Sequence, residues 1–296
     1  MRTCKCCNSS HLADVSEASV EIGHTMNATN RPLETRSSGV LSSSDWESVD
    51  CDLCGSVQRK LLFSLAHQAA PNGSSDMVQC RICGLIYISP RPKSERLSAY
   101  YPSSANAYIG RTRGRFKQAA WNAARTLGLD LFDIGLNMSK GNSLLDVGCG
   151  YGDLLIYYKS RGVNCVGVDF SELATAKARE YGLDVRHGSL FDQKFRDNSF
   201  DALIMCHSLE HITFPGQVIA EIRRILKPGG IVQIAVPNGG SSHFGPLWQH
   251  ISFPLHLYHF TANTLMRCFE GSSGFSEVSV ITRKRTDALR LTATRL

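Results

Sequence analysis

The spacing of apolar positions changes near residue 143, and this change separates the main domain from the preceding chain. Beyond it, short apolar runs alternate with segments whose apolar residues recur three and four positions apart. The runs are typical of buried strands, and the recurring segments are typical of amphipathic helices. Strands are predicted at 143–148, 163–168, 183–187, 200–206 and 230–236, and helices at 151–161, 171–181, 215–226 and 261–271. This alternation predicts an α/β fold, with a doubly wound, mostly parallel sheet and helices on both faces.

Composition divides the chain into four regions. Residues 1–50 are rich in Ser, Thr and Asn with few large apolar residues, so we predict a disordered tail. Residues 51–92 form a cysteine-rich unit, and residues 93–142 are interpreted as a helical linker and lid. Residues 143–296 form the main domain, which ends in a predicted hairpin. Some tail residues resemble half of a metal site, but no second half follows, so we interpret the cysteines as free thiols: Cys4, Cys6, Cys7 and His11.

The overall composition is that of a soluble globular protein. Of the 296 residues, 43% are hydrophobic and 20% are charged, and no apolar run reaches the ~20 residues that span a bilayer. The N-terminus has no apolar stretch that resembles a secretion signal, so we predict a cytoplasmic protein. In that reducing compartment the 11 cysteines favour metal ligands and buried thiols over disulfides.

Positive charge is concentrated in one segment. The net charge is +6, and residues 91–125 contain eight basic residues and one acidic residue, Glu95. That segment alone carries +7, so the rest of the chain carries −1. A basic surface suits a phosphorylated acceptor, but the same pattern is typical of the solvated face of an amphipathic helix. Both interpretations remain open.

Two copies of one short motif, "CDLCG" at 51–55 and "CRICG" at 80–84, predict a zinc site. In each copy a Cys-x-x-Cys turn can direct both sulfurs to one point, and the glycine allows a tight approach. Two such turns form a tetrahedral, structural site. Neither pair opens a helix after a strand, which argues against a redox role. The predicted ligands are Cys51, Cys54, Cys80 and Cys83.

The cysteine unit offers little to nucleic acid. Between the two pairs, Arg59 and Lys60 are the only lysine or arginine residues. This weakens the interpretation of the unit as a nucleic-acid module, because phosphate contacts need clustered positive charge. We therefore predict a small-molecule partner, and the sequence argues against nucleic acid and membrane partners.

The stretch "LLDVGCGYGDLL" at 144–155 predicts a strand, a glycine turn and the start of a helix. Its glycines, Gly148, Gly150 and Gly152, are spaced more closely than in the dinucleotide fingerprint, and Asp146 precedes them. An aspartate there repels a pyrophosphate and suits a ligand that carries an amino group and a sulfonium. Asp169, 23 residues later at the end of the next strand, is placed to accept hydrogen bonds from ribose hydroxyls.

Four motifs together, "LLDVGCGYG", "VGVDFS", "FDALIMCHSLEHI" and "EIRRILKPGGIVQIAVPN", resemble the class I S-adenosylmethionine-dependent methyltransferases over residues 143–280. The resemblance implies a seven-stranded sheet with a reversed last strand. Many relatives have an acid where Ser189 stands, so the adenine contact is expected from backbone or from Asp192. The cofactor-binding residues that the resemblance implies are Asp146, Gly148, Cys149, Gly150, Gly152, Asp169, Phe170, Ser189, Leu190 and Cys206.

The N-terminal cysteine unit, together with "CGLIYISPRPKSERLSAYY", resembles a narrower group. These are bacterial methyltransferases of sugar and cell-surface polysaccharide pathways that carry an N-terminal zinc-binding unit. The resemblance implies O- or C-methylation of a sugar, a nucleotide-sugar or a polysaccharide precursor, so the acceptor would be phosphorylated or nucleotide-linked.

Two histidine-containing segments are candidates for catalysis: "HSLEH" at 207–211 and "PLHLYHF" at 254–260. Their histidines can pack structurally, act as a general base for a hydroxyl acceptor, or bind metal. Some quinone and RNA methyltransferases carry Glu-x-x-Glu-His at the first segment and bind a divalent metal, which implies a possible second metal at Glu210 and His211. The candidate catalytic residues are His207, His211, His256 and His259.

Three other functions remain as alternatives. An RNA-base methyltransferase would use the cysteine unit and the basic segment, and would bind RNA with a steep salt dependence. An O-methyltransferase of a quinone-like acceptor would use the histidines. A non-enzymatic binding protein would bind the cofactor without turnover. The Asp/Asn-Pro-Pro-aromatic signature of many amino-directed methyltransferases is absent, since "VPNGG" stands at 236–240, which favours an oxygen or carbon acceptor.

Overall fold

The computed structural model describes residues 42–100, 134–271, 274–284 and 286–296. Its strands are β1 Trp46–Glu47, β2 Arg59–Ala66, β3 Ser74–Cys80, β4 Ile86–Ser89, β5 Arg91–Pro92, β6 Ser143–Val147, β7 Asn164–Asp169, β8 Asp184–His187, β9 Phe200–Cys206, β10 Leu226–Pro237, β11 Tyr258–His259, β12 Phe275–Arg283 and β13 Ala288–Arg295. Its α-helices are α1 Asp153–Ser160, α2 Glu172–Glu180, α3 Pro215–Ile225 and α4 Ala262–Glu270. Short 3₁₀ helices occupy Ser43–Asp45, Pro71–Gly73, Ser94–Tyr100 and Leu209–His211.

The main sheet has seven strands in the order β12-β13-β10-β9-β6-β7-β8. The pairs from β10 to β8 are parallel, whereas β13 runs antiparallel to both of its neighbours, β10 and β12. The doubly wound sheet, the reversed last strand and the closing hairpin are therefore confirmed. This strand order brings the carboxyl ends of β6, β7 and β9 side by side at one edge of the sheet.

Alternate residues of the central strands face opposite sides, as the apolar pattern requires. Leu145 and Leu203 pack in one cluster with α3 and α4, whereas Leu144 and Ile204 pack in another cluster with α1. Helices therefore cover both faces of the sheet, as predicted.

Helix starts follow local capping chemistry, and this explains why the predicted helices lie within two residues of the observed ones. The Ser171 hydroxyl accepts a hydrogen bond from the Ala174 amide at 3.1 Å, and α3 begins with Pro215. The largest difference concerns β10, which begins at Leu226 instead of 230. Leu226 pairs with Phe200 before a register shift that extends to Ile231, so the Lys-Pro-Gly-Gly segment is included in the strand.

A second, four-stranded antiparallel sheet has the order β11-β4-β3-β2. Three of its strands belong to the cysteine-rich unit, but β11 comes from the segment that follows β10. Tyr258 pairs with Tyr87, and His259 pairs with Ile86. Sequence analysis missed this pairing, because a two-residue strand has no measurable periodicity.

Residues 42–50, assigned to the tail from the sequence, contain ordered structure. Trp46 is buried and packs against Ala70 and Tyr100, while β1 pairs with β5. Residues 1–41 and 101–133 lie outside the described part, and with them most of the predicted tail and the helical lid. In the described ranges no helix combines the length and apolar character needed to cross a bilayer.

We expect Gly167→Ala in β7 to destabilise the fold by about 1–3 kcal/mol, because an added methyl overpacks the core. A Cβ at this buried position would lie 2.6 Å from Leu155 Cδ1, 2.7 Å from Cys149 Sγ and 3.1 Å from Val185 Cγ2. Chemical denaturation measures the change. Gly245→Ala is the matched control, since nothing lies within 4 Å of its Cβ position. Equal stability of the two variants would contradict the packing argument.

Candidate active site

The glycine turn after β6 is held against the end of β7. The Gly148 amide donates to the Val168 carbonyl at 2.8 Å, and Gly148, Gly150 and Gly152 all have positive φ angles, which favour glycine. A Cβ at Gly148 would lie only 2.5 Å from Ser208 Cβ, whereas nothing lies within 4 Å of a Cβ at Gly150. The turn is therefore tight on the side of β9 and open above Gly150.

Asp169 is oriented by the backbone around it. Its Oδ2 accepts from the Gly150 amide and its Oδ1 from the Ser171 amide, both at 2.8 Å. Each carboxylate oxygen keeps a second lone pair, and the residue is half-buried, so a ligand above the turn can donate to it. The next side chain, Phe170, is 64% exposed and offers an apolar face beside the carboxylate.

Asp146 is a buried carboxyl group with an unsatisfied oxygen. It is 1% exposed, and its Oδ1 has no hydrogen-bond partner among the described residues. Burial, reinforced by the charge of Asp169, raises the pKa of Asp146 to about 8. Two acids behind a glycine turn form a site whose electrostatics favour a cationic ligand.

The other predicted cofactor residues lie along the same edge. Ser189 is half-buried, and its amide and hydroxyl both donate to Asp192 Oδ2, at 2.8 and 2.6 Å, while Leu190 is buried beside them. Cys149 is buried inside the glycine turn, and burial raises the pKa of its thiol. Cys206 ends β9 and is half-buried. Their roles as cofactor contacts stay predictions.

The loop from β9 to α3 places a carboxylate among histidines. His207 has a φ of +54°, a conformation that is rare for a residue with a side chain, and its amide donates to the Ala235 carbonyl at 2.9 Å. Glu210 is 1% exposed, and neither of its side-chain oxygens has a hydrogen-bond partner among the described residues. Its Oε1 lies 3.6 Å from His207 Nδ1 and 4.0 Å from His256 Nε2.

Two histidines around Glu210 have a defined tautomer. His211 Nδ1 lies 3.1 Å from the Leu255 carbonyl oxygen, and His256 Nδ1 lies 2.7 Å from that of His250. A carbonyl oxygen only accepts, so each Nδ1 carries the proton. Burial lowers the pKa of both imidazoles, that of His256 to about 4, so both are neutral near pH 7 with a lone pair on Nε2.

Glu210 and these two imidazoles form a candidate metal site. One ligand atom from each of Glu210, His211 and His256 lies within 4.8 Å of the others. Burial alone would raise the pKa of Glu210, but the surrounding imidazoles, His207 first and then His211 and His256, lower it to about 2. The carboxylate is therefore ionised and available as a ligand or as a partner for a protonated imidazole.

His259 contacts His256 but lies outside the group formed by Glu210, His211 and His256. It is 1% exposed and packs against Phe244, Trp248 and His256, with ring centroids 5.4 to 6.0 Å away. Burial lowers the pKa of His259 to about 3. It lies inside an aromatic cluster, where it has no surface to offer an acceptor. Its proposed catalytic role remains the least supported of the four.

The four predicted zinc ligands converge. Their sulfurs lie within 4.8 Å of one another, and Cys51 Sγ is 3.3 Å from Cys83 Sγ. In each pair the glycine after the second cysteine has a positive φ, and its amide donates to the carbonyl of the first cysteine, at 2.7 Å for Gly55 and 3.0 Å for Gly84. The two knuckles thus share one backbone geometry, and the sulfur spacing fits a tetrahedral ion with Zn–S bonds of about 2.3 Å.

Part of the main sheet region is similar in sequence to known methyltransferases. Residues 145–234, from β6 to β10, match the family model described as methyltransferase domain. A probable S-adenosylmethionine-dependent methyltransferase of Mycolicibacterium smegmatis is 35% identical over 139 residues, 46% of this chain and 52% of that protein. A ubiquinone biosynthesis O-methyltransferase of Methylococcus capsulatus is 35% identical over 105 residues, 33% of this chain and 44% of that protein. The chain spans about half the length of the curated relatives it matches.

Solved structures with a similar backbone include a SAM-dependent methyltransferase from Archaeoglobus fulgidus. The TM-score is 0.49 with 18% sequence identity, over 64% of this chain and 99% of that chain. Strand order and direction, rather than this likeness, identify the fold of residues 143–296 as the class I methyltransferase fold.

Proposed function

We propose that this chain is an S-adenosylmethionine-dependent methyltransferase that acts on a hydroxyl group of a small molecule. The observation that carries the proposal is the pairing of the buried Asp146 with the backbone-anchored Asp169 on either side of a glycine turn. The matched methyltransferase domain, residues 145–234, contains all of these residues.

The residues present fit the cofactor. When bound, S-adenosylmethionine supplies a methyl group on a sulfonium, which is already a strong electrophile. Asp169 would accept hydrogen bonds from the ribose hydroxyls, and Asp146 would balance the cofactor's positive charge. The open face of Gly150 leaves room for the methionine part, and Phe170 would cover the base. Most of the catalytic effect would then come from alignment of the two reactants.

The acceptor side of the site favours a hydroxyl acceptor. An oxygen nucleophile loses its proton as it attacks, so a base must be within reach. The His207 side chain is 29% exposed and the Glu210 side chain 1%, so the imidazole faces the site while the carboxylate stays beneath it. We assign His207 as the base and Glu210 as the group that stabilises the resulting imidazolium.

The acceptor's identity is a finer proposal. Resemblance to the sugar-pathway group supports a sugar, nucleotide-sugar or polysaccharide precursor, and the ubiquinone O-methyltransferase match supports a phenolic acceptor of the quinone type. Acceptors of the sugar class and of the phenolic class both have a hydroxyl that a general base can deprotonate during methyl transfer. Two residues of the basic segment, Arg91 and Arg96, are ion-paired with Glu47 and Asp45, which weakens the RNA alternative. Cytoplasmic location stays a prediction.

Zinc is proposed for the Cys51/Cys54/Cys80/Cys83 cluster. All four ligand positions come from the protein, so the ion would have a structural role and no open position for chemistry. The hydrogen bonds of Gly55 and Gly84 shape the two turns that bring the sulfurs together, and this arrangement exists only in the folded chain. Metal binding would therefore contribute directly to the folding free energy.

A second divalent metal is proposed for Glu210, His211 and His256. The Glu210 carboxylate lacks a hydrogen-bond partner in the described chain, and both imidazoles have Nδ1 against a backbone carbonyl, which leaves Nε2 as the ligand nitrogen. His256 Nε2 lies 4.0 Å from Glu210 Oε1. Carbonyl acceptors on the far nitrogen are typical of metal-binding histidines. Two imidazoles and one carboxylate suit several divalent transition metals.

Cofactor binding should release protons. In the protein without cofactor the pKa of Asp146 is about 8, so the carboxyl is mostly protonated at pH 7. A cationic ligand would favour its ionised form. We expect calorimetric titration with S-adenosylmethionine in buffers of different ionisation enthalpy to show release of about one proton. Asp146→Asn should release none. S-adenosylhomocysteine should also bind and NAD should not, and failure of the first two to bind would overturn the proposed function.

Loss of one cysteine ligand should remove zinc. We expect the purified protein to contain about one zinc per chain by elemental analysis. Cys80→Ser should lose the ion and lower the Tm by about 10 °C, because metal binding is coupled to folding. Cys165→Ser, which changes a half-buried cysteine in β7, is the control and should keep the zinc. A zinc-free wild-type protein of full stability would disprove the zinc assignment.

If the second metal site exists, replacement of Glu210 should weaken metal binding there. With zinc already bound at the cysteines, Co²⁺ titration followed by visible absorption should reveal a further site, and Glu210→Gln should weaken it at least ~10-fold. Glu221→Gln, in a surface ion pair with Arg224, is the matched control. If the wild-type protein shows no second Co²⁺ site, the proposed metal at Glu210, His211 and His256 is wrong. The proposed base role of His207 is not affected by that result.

Methyl transfer itself is tested by a panel of acceptors. Transfer of a labelled methyl group to nucleotide-sugars, to demethylated phenolic quinone analogues and to RNA should be compared at one ionic strength. We expect transfer to one of the two hydroxyl classes. His207→Ala should lower kcat by about 10²–10⁴-fold, as expected for loss of a general base. Transfer to RNA alone would replace the small-molecule proposal.

A further inference from the structure

The cysteine knuckles contact the loop that carries Glu210 from behind. Asp52 lies between the first two cysteines, and its Oδ2 is 3.4 Å from the Gly216 amide in the first turn of α3. The residue before α3, Phe214, provides no side-chain cap. A carboxylate from a distant part of the chain therefore serves as the acceptor at this helix N-terminus, where negative charge is favourable.

Arg91, just after the second knuckle's strand β4, makes the next contact along the same loop. It is 3% exposed, and its Nη1 donates to the Thr213 carbonyl at 3.1 Å and to the Tyr258 hydroxyl at 2.7 Å. The Tyr258 hydroxyl in turn donates to the same Thr213 carbonyl at 2.9 Å. The guanidinium also lies 5.6 Å from the centre of the Phe214 ring.

A third contact holds the backbone of Glu210 itself. The Leu257 amide donates to the Glu210 carbonyl at 2.8 Å, and the Leu257 carbonyl accepts from the Ile88 amide of β4 at 3.1 Å. Contacts from the cysteine unit and from residues 257 and 258 thus reach residues 210, 213 and 216, three positions apart. The first two lie between β9 and α3, and Gly216 lies in the first turn of α3.

We propose that Asp52 and Arg91 are positioning residues that hold the 207–216 loop against the cysteine knuckles and thereby fix Glu210 and its histidines beside the glycine turn. The effect of this positioning on methyl transfer rests on the proposed function, whereas the contacts between the cysteine knuckles and the loop do not. Local opening of a segment becomes rarer as more buried contacts and hydrogen bonds hold it. The contacts at residues 213 and 216 oppose that opening.

This assigns the cysteine unit a role in the acceptor half of the site. Asp52 lies between two of the predicted metal ligands and accepts from the Gly216 amide, so the metal-binding turn and the start of α3 are joined directly. None of these contacts involves the glycine turn or Asp169. The cofactor half meets the loop at its other end, where the Ser208 hydroxyl donates to the Val147 carbonyl at 2.8 Å. The two halves should therefore respond differently when the link is broken.

Hydrogen exchange measured by mass spectrometry tests the link without any acceptor. In the zinc-loaded full chain, Asp52→Ala and Arg91→Met should each increase amide exchange in 207–216 at least ~10-fold, because the loop opens more often. Exchange in α2, residues 172–180, should stay unchanged. Asp52→Asn keeps an oxygen acceptor for the Gly216 amide and should restore most of the protection. Arg81→Met, at an exposed arginine between the second pair of ligands, is the matched control.

The measured outcomes separate the possibilities. Zinc content and S-adenosylmethionine affinity should stay within about twofold of wild type in the Asp52 and Arg91 variants, because the contacts of these two residues lie at Thr213 and Gly216, away from the glycine turn and Asp169. The histidine ring signals of His207 and His211 in NMR spectra should shift, which loss of stability alone would not produce. Exchange equal to that of Arg81→Met, or a uniform increase over all peptides, would overturn the proposal. If wild type fails to bind the cofactor but the exchange result holds, the proposed function fails and the positioning role stands.

Discussion

One apolar core runs without interruption from the cysteine knuckles to the seven-stranded sheet, and the other features of the site depend on it. Leu85 and Tyr87 of the small sheet belong to the same buried cluster as Leu203 of β9 and Phe269 of α4. A segment of about 40 residues is too short to bury a sufficient core of its own. The knuckles therefore gain stability from the methyltransferase fold, and the loop between β9 and α3 gains a rigid support in return.

The sheet places three acids in the same part of the molecule, and their burial has a cost that a ligand can remove. Asp146 and Glu210 are both 1% exposed and each has at least one side-chain oxygen without a hydrogen bond in the described chain, while backbone amides hold Asp169. Buried unpaired carboxylates destabilise a fold until a cation or a proton compensates them. For Asp146 the raised pKa means that a proton compensates the charge, and for Glu210 the surrounding imidazoles do so. Affinity for cationic ligands is thus a direct consequence of where the strands end.

The parts predicted from the sequence are those whose information is local. The glycine turn, the cysteine knuckles and the helix starts each depend on residues within a few positions of one another, so spacing and capping chemistry suffice. The contacts that support the acceptor half depend on residues far apart in sequence, such as Arg91 and Tyr258. Arg91 in particular was grouped with an exposed basic segment, yet it is buried against Tyr258 and the Thr213 carbonyl. Only the fold brings these partners together. A two-residue strand such as β11 is too short for its pairing to be predicted from the periodicity of the sequence.

The arrangement of the histidines limits how base and metal roles can coexist. His211 and His256 each use Nδ1 for a carbonyl and turn Nε2 inward, so neither is free to swing toward an acceptor while those bonds hold. His207 Nδ1 lies 3.6 Å from Glu210 Oε1, and the His207 side chain is 29% exposed, more than those of Glu210 and His256. A divalent ion on Glu210, His211 and His256 would withdraw negative charge from Glu210 and lower the basicity of His207. A base at His207 therefore works best with Glu210 as its ionic partner, and the metal and the base are competing uses of one carboxylate.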